Sequence, residues 1–438
     1  MNAGADGLAS RRLALALLHR VLAKHQPFQD AWDAALADPL RRLSNLDPRD
    51  RAFVRLLVLT VLRRLRVLDR LIDARCERPN LAPPIRALLR LGAAQLVFLG
   101  TPAHAATATT MALAAREPKP QRAFINALLR RIALDSESIR GKPLDRDTLP
   151  DWLARSWTAA YGPERAAAIA MSLLAEPPLD LTPNAAHPDT AWQTALGGAP
   201  LPTGSIRCRH QGAIESIPGF AAGAWWVQDA AAALPAKLLV KSLAPKASVV
   251  DLCAAPGGKT MQLAAAGLLV TAIDRSSRRL ATLAANLART GLSATLVEAD
   301  ALTWKPERPA DGVLLDAPCS ATGTLRRHPD IAYLKDVEDV AAQAAQQRRF
   351  VMAAAGMLKA GGVLIYAVCS LQPEEGELIA EWVRRGGVDG LEPWPIKATE
   401  IGGDRDWRTA AGEVRTLPCH WRDRGGLDGF FVARFRRR

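Results

Sequence analysis

Asp251-Leu252-Cys253-Ala254-Ala255-Pro256-Gly257-Gly258-Lys259-Thr260 is the stretch whose reading decides the fold. The apolar run Ala247 to Leu252 enters it and reads as a buried strand. A Pro-Gly-Gly turn follows, and an apolar-periodic helix starts near Thr260. A glycine turn between strand and helix lets a ligand approach the backbone and aims the helix N-terminus at it. A lone Gly-Gly fits an ordinary strand-to-helix turn equally well. Gly258-Lys259-Thr260 also has the ending of a Walker A loop. That loop needs a glycine where this chain has Cys253, which argues against an ATPase.

Downstream, the same pattern repeats. A strand from Leu268 to Ile273 ends on Asp274, about where a nucleotide-binding βαβ unit carries its ribose-binding acid. A strand from Ala294 to Val297 runs to Asp300. Another, Gly312 to Leu315, ends on Asp316-Ala317-Pro318-Cys319-Ser320, and a fifth, Gly362 to Val368, ends on Cys369-Ser370. Polar residues and cysteines thus gather at the carboxyl ends of successive strands, where open α/β sheets bind ligands.

DLCAAPGGKT (251–260), DAPCSATGT (316–324) and VCSLQPEEGE (368–377) occur in order. Through them, residues 225–438 resemble the RNA cytosine-C5 methyltransferases of the Nol1/Nop2/Sun family. The family usually has threonine at Val368; the adjacent cysteine is intact. The resemblance implies a Rossmann-like class I methyltransferase domain with a mostly parallel, seven-stranded sheet. Its implied cofactor is S-adenosylmethionine, held by Cys253, Ala254, Ala255, Pro256, Gly257, Gly258 and Lys259 with Asp274, Arg279, Asp300 and Asp316. Asp274 would bind the ribose and Asp300 lie near the adenine, although either also fits a plain helix cap.

The chain has 438 residues, enough for more than one domain, and 49% hydrophobic residues, enough for large cores. Its net charge of +13 favours a polyanionic partner. No apolar run reaches the ~18 residues of a membrane helix. The basic, amphipathic N-terminus raises a transit peptide, but its pattern runs unbroken into the first helix, so a cytoplasmic protein is expected. Six scattered cysteines form no CxxC pair, so neither zinc nor a disulfide framework is indicated. A monomer with no membrane partner is expected.

Residues 1–135 read as all-helical. Leu13, Ala16, Leu17 and Val21 share a face, and Asp47-Pro48-Arg49-Asp50 is a helix start. Phe53, Leu56, Leu57 and Val61 follow, beside Arg63, Arg64 and Arg66; Arg130 and Arg131 end a later helix. LLRLGAAQLVFLGTPAHAA (88–106) and FINALLRRI (124–132) resemble the NusB-like RNA-binding domain of bacterial Sun proteins. Residues 136–148 read as a linker, and 149–224 resemble the family's small α/β subdomain. The final strand, Phe430 to Phe435, fits an antiparallel edge strand.

Cytosine C5 is a poor nucleophile. A thiolate added at C6 turns C5 into an enamine carbon that can take a methyl group, after which a base removes the C5 proton. By resemblance, Cys369 is that nucleophile, Cys319 assists product release, Asp316 hydrogen-bonds the base and Lys259 sits beside the site. Pro373, Glu374 and Glu375 read as a helix start after Cys369, which would lower its thiol pKa. DNA cytosine methyltransferases carry their nucleophile in a Pro-Cys motif, which would point to Cys319 instead. Amino-group methyltransferases have an Asn/Asp-Pro-Pro-aromatic turn, absent here. Arg326-Arg327-His328-Pro329-Asp330 reads as an RNA contact on the rim. The implied substrate is 16S ribosomal RNA. The rivals are the same chemistry on transfer RNA, and a non-catalytic RNA-binding or antitermination factor.

Overall fold

A computed structural model describes residues 3–38, 43–77, 80–141, 148–187, 191–210, 212–402 and 405–438. The chain forms two compact units, Met1–Ala175 with Leu325–Lys335, and Glu176–Thr324 with Asp336–Arg438.

The first unit is helical: α1 (Ala3–Lys24), α2 (Phe28–Ala37), α3 (Pro48–Arg63), α4 (Leu65–Asp73), α5 (Pro83–Val97), α6 (Ala103–Leu113), α7 (Lys119–Gly141), α8 (Asp151–Tyr161) and α9 (Pro163–Ser172). The α3 start follows the sequence signal. Asp47 accepts from the Asp50 N–H at 2.8 Å, and Pro48 takes the first helical position, where no N–H is needed. Val54, Leu57, Val58 and Val61 face a core shared with Leu17, Val21, Leu89 and Leu129. Each such side chain contributes about 1.5–3 kcal/mol by leaving water. The first residues of the expected linker, 136–141, belong to α7, and residues 142–147 lie outside the described residues. The expected small α/β segment divides, with α8 and α9 in the helical unit and its strands in the second.

The second unit begins with a small antiparallel sheet of β1 (Leu179–Pro183), β2 (Ala199–Pro200), β3 (Ile206–Cys208) and β4 (Trp225–Val227), in order β2-β3-β1-β4, with α10 (Ala191–Leu196) beside them in sequence. Asp180 and Arg207 cross β1 and β3 as a bidentate pair at 2.7 Å, and Asp180 also accepts from the Ala230 N–H. A buried charge is tolerated only when paired and hydrogen-bonded in this way.

Then come α11 (Leu234–Ser242), β5 (Ser248–Leu252), α12 (Gly258–Ala265), β6 (Leu269–Asp274), α13 (Ser277–Thr290), β7 (Thr295–Glu298), β8 (Ala310–Asp316), α14 (Ile331–Leu334, which belongs to the first unit), α15 (Val337–Gly356), β9 (Leu358–Val368), α16 (Glu377–Trp382), β10 (Leu391–Pro393), β11 (Val414–Thr416) and β12 (Phe430–Arg437). The large sheet has the order β10-β12-β9-β8-β5-β6-β7, seven strands along its path, with β11 pairing β12 as an eighth. β5 to β9 are parallel; β12 is antiparallel to β9. One expectation needs correction. β12 is not an edge strand, because β10 pairs its other side. The apolar run at 363–368, which ends β9, is buried because both faces of the sheet are covered, as in parallel sheets generally.

The segment Leu325–Lys335 leaves the second unit and packs in the first. Asp330 accepts from the Phe28 N–H at 2.9 Å, capping α2, which starts after Pro27 with no cap of its own. Arg63 donates to the Arg326 carbonyl and Trp152 Nε1 to the Ala332 carbonyl. Arg326 is 1% exposed. The reading of this segment as an RNA-contacting rim is therefore wrong for Arg326 and Asp330, which are interior residues. Arg64 likewise stacks 4.3 Å over Phe98 and donates to Leu174, and Arg66 pairs with Asp151. Arg130 and Arg131 remain on the surface.

Candidate active site

The turn after β5 needs glycine for a local reason. Gly257 has φ +105°, and a Cβ there would lie 2.0 Å from the buried Leu283. It precedes α12, so the helix N-terminal N–H groups open onto the turn. Asp251, on β5, accepts from Thr260 Oγ1 of α12 at 2.6 Å. This clamp joins strand to helix and was missed in the sequence, although both residues bracket the motif. Burial pushes the Asp251 carboxyl up to about 7, against the pull of the Thr260 hydrogen bond and Lys259. Its Oδ1 has no hydrogen-bond partner.

A cavity of about 300 Å³ opens beside this turn, lined by Asp251, Cys253, Ala254, Ala255, Pro256, Gly258, Lys259 and Asp316. Trp226, Gln228, Asn286 and Arg289 also line it; these escaped the sequence reading as site residues, because no local pattern brings them together. Asp274, Arg279 and Asp300 do not line it. Asp274 is 2% exposed at the end of β6 and accepts from the Ala255 N–H, while Arg279 ion-pairs with Asp274 and donates to the Ala255 carbonyl. Asp300 is exposed and accepts from the Leu302 N–H, a turn-capping contact.

A glycine turn, an unpartnered buried carboxylate oxygen and a strand-end acid are the features a group with an ammonium and a ribose would use. The residues fit S-adenosylmethionine.

Cys319 and Cys369, at the ends of adjacent β8 and β9, have their Sγ atoms 3.5 Å apart. The hydrogen bond to Cys369, then burial, then the charges of Cys369 and Glu375 hold the Cys319 thiol well above its ordinary value. Cys253 is pushed up to about 12, by burial and then by Asp316, Asp274 and Asp251, which leaves it an unreactive thiol. Lys259 donates to Asp316 at 2.7 Å, and its ammonium lies 5.4 Å from the Phe430 ring. Burial acts to lower the Lys259 pKa, but the charge and hydrogen bond of Asp316, with smaller contributions from its other neighbours, outweigh it and raise it. The sequence expectation for Cys369 fails in one respect: the helix after it, α16, starts at Glu377 and not at residues 373–375. Residues 372–376 instead form turns, Glu375 N–H to Gln372 and Gly376 N–H to Pro373.

The site is locked from behind by a close backbone approach. Gly323 N–H donates to the Cys369 carbonyl and Gly429 N–H to the Gly323 carbonyl. A Cβ on Gly323 would sit 1.9 Å from the Gly429 oxygen, so this crossing admits only glycine.

The profile of the 16S rRNA methyltransferase RsmB/F family matches residues 239–436, and that of the NusB family matches residues 8–134. The chain is 36% identical to a ribosomal RNA small subunit methyltransferase B of Pseudomonas putida over 90% of this chain and 92% of that protein. It is 33% identical to the protein of the same name in Xanthomonas campestris, over 98% and 97%. The crystal structure of PH0851 superposes with a TM-score of 0.72 at 20% identity, covering 98% of each chain, a likeness of fold.

Proposed function

The chain belongs to the 16S rRNA methyltransferase RsmB/F family, and from that premise we propose that it methylates C5 of a cytidine in 16S ribosomal RNA through a cysteine–C6 adduct. It is an S-adenosylmethionine-dependent RNA methyltransferase with a NusB-family domain. The observation that carries the C5 assignment is the pair of sulfurs 3.5 Å apart at neighbouring strand ends, beside Lys259 and Asp316. A purely RNA-binding factor has no use for two thiols so arranged.

S-adenosylmethionine, when bound, supplies an electrophilic methyl group on a sulfonium. The turn 253–258, Asp251 and Asp316, which line the cavity, are the residues that would hold it, with Asp274 bracing the turn from behind through the Ala255 N–H. Cys369 is the nucleophile and adds to C6 as a thiolate. Asp316 accepts a hydrogen bond from the base. The electron pair displaced to C5 takes up the methyl group, which leaves the ring neutral.

Cys319 is the second thiol, and its proton is held partly by Cys369 itself. Once the Cys369 sulfur is bonded to C6 it carries no charge, so both its hydrogen bond and its repulsion are removed. Cys319 then gives its proton to solvent and accepts the C5 proton. The C5–H electrons re-form the 5,6 double bond, and Cys369 leaves as thiolate. Residues 1–135, including Arg130 and Arg131, are read as an RNA-binding domain, and a soluble cytoplasmic monomer is the expected form.

Bisulfite sequencing of 16S rRNA from a bacterium lacking its own enzyme of this type tests the function. Expressing this chain is expected to protect one cytidine from deamination. No protected position in any ribosomal RNA would overturn the assignment.

A further inference from the structure

Glu375 has 0% exposure, and the mechanism above does not use it. Its carboxylate lies beneath the two cysteine turns. Oε1 accepts from the Ser320 N–H at 2.8 Å and from Gln347 Nε2 at 3.2 Å. Oε2 accepts from the Ser320 hydroxyl at 2.5 Å and from the Ser370 hydroxyl. Ser320 directly follows Cys319, and Ser370 directly follows Cys369. Four donors thus converge on one acceptor-only group, and they include both strand ends that carry sulfur.

The surroundings fix this carboxylate in turn. The Tyr366 hydroxyl donates to the Glu375 carbonyl at 2.5 Å, and Gln347 also donates to the Pro318 carbonyl at 2.9 Å. Thr322 accepts from the Leu371 N–H, and Ser370 from the Gln372 N–H. Arg415 donates to the Ser370 carbonyl while held by Glu377. β8 and β9 pair only as far as Asp316 with Ala367, so the sheet does not align the residues beyond. Beyond that point the turns are joined by the Gly323 N–H to the Cys369 carbonyl, by a Ser320–Ser370 hydroxyl contact at 3.1 Å, and by the one carboxylate that both hydroxyls share.

We propose that Glu375 is a positioning residue: acting through Ser320 and Ser370, it holds Cys319 and Cys369 at the separation that lets one thiol resolve the adduct formed by the other. This rests on the cysteine–C6 reading above. An ordinary helix-start glutamate would face solvent and touch neither turn. Glu375 faces inward and bridges both. Its charge also adds to the influences that keep Cys319 protonated until Cys369 is consumed.

The test uses the full-length protein, S-adenosylmethionine and a 16S rRNA transcript. Glu375→Gln keeps the size of the side chain but gives one of its two terminal atoms donors where two hydroxyls now donate. Turnover is expected to fall by about 10- to 100-fold with KM for RNA little changed, the cost of a small misplacement at the reacting centre. The fraction of enzyme trapped on RNA in a denaturing gel is expected to rise, as in Cys319→Ala. Adding Glu375→Gln to Cys319→Ala is expected to cost little more, because both remove the same step.

Turnover within about two-fold of wild type would overturn the proposal, as would a loss with no rise in adduct or full additivity with Cys319→Ala. If Glu375→Gln does not fold, Ser370→Ala, which deletes a single donor, is scored by the same adduct fraction. If Cys319→Ala itself traps nothing and Cys369→Ala still turns over, the covalent reading falls, and the role of Glu375 with it. If Cys319→Ala traps adduct and neither Glu375→Gln nor Ser370→Ala does, only the Glu375 role is lost.

Discussion

Replacing Asp251 by asparagine tests the electrostatics of the cofactor turn. Asp251 is fully buried, and its carboxyl is raised from 3.8 to about 7. The folded protein therefore holds this proton more tightly than the unfolded chain does. Its contribution to stability is fully present below about pH 4 and is lost as pH rises through about 7. Roughly three pH units at about 1.36 kcal/mol each amount to about 4 kcal/mol. The asparagine side chain would keep an oxygen for the Thr260 hydroxyl and carry no charge. Urea unfolding at a series of pH values from ~4 to ~8 is expected to show wild type losing about 4 kcal/mol relative to Asp251→Asn across the window. A difference that stays constant with pH would refute the claim that burial sets this carboxyl. S-adenosylmethionine, whose ammonium would favour the ionised form, is expected to release a proton on binding near pH 6 only in wild type.

Three further outcomes follow from other parts of the chain. Asp274→Ala strands the Ala255 N–H of the cavity turn and Arg279, and is expected to weaken S-adenosylmethionine by about 1–3 kcal/mol in calorimetry; unchanged affinity would show that the turn keeps its shape without Asp274. Asp180→Ala leaves Arg207 buried without its bidentate partner and is expected to cost about 3–5 kcal/mol in urea unfolding, whereas a loss under about 1 kcal/mol would mean water reaches that pair. With a net charge of +13, RNA affinity of the full chain is expected to fall by on the order of 10³-fold between ~50 and ~200 mM salt, and a flat response would return the exposed arginines to solvated surface.

What was legible in the sequence was local. Strand, glycine turn and helix are adjacent at 248–265, so residue order alone revealed that unit and the Asp274 that closes β6. Asp47-Pro48 worked for the same reason: a cap acts within one turn of itself. Apart from local boundaries, such as the start of α16 and the end of α7, the misreadings involve distant partners. The Arg326 segment looks solvent-facing by charge, and only the fold shows it against Phe28 and Arg63 of the helical unit. β12 reads as an edge strand until the short β10, with three residues and little periodicity, pairs its free side. Glu375 is five residues from Ser370 but 55 from Ser320, and acidic residues after a proline look like any exposed helix start. Burial of a charged side chain depends on where its donors come from, and no window of sequence contains them.

The central claim is that Cys369 attacks and Cys319 resolves. It is tested most directly by incubating wild type, Cys319→Ala and Cys369→Ala with S-adenosylmethionine and 16S rRNA transcript, then running denaturing gels with and without nuclease. Cys319→Ala is predicted to accumulate a slow-migrating, nuclease-sensitive band, while Cys369→Ala shows neither band nor methylation. A band from Cys369→Ala and none from Cys319→Ala would reverse the two roles, and full turnover by both variants would contradict thiol addition altogether.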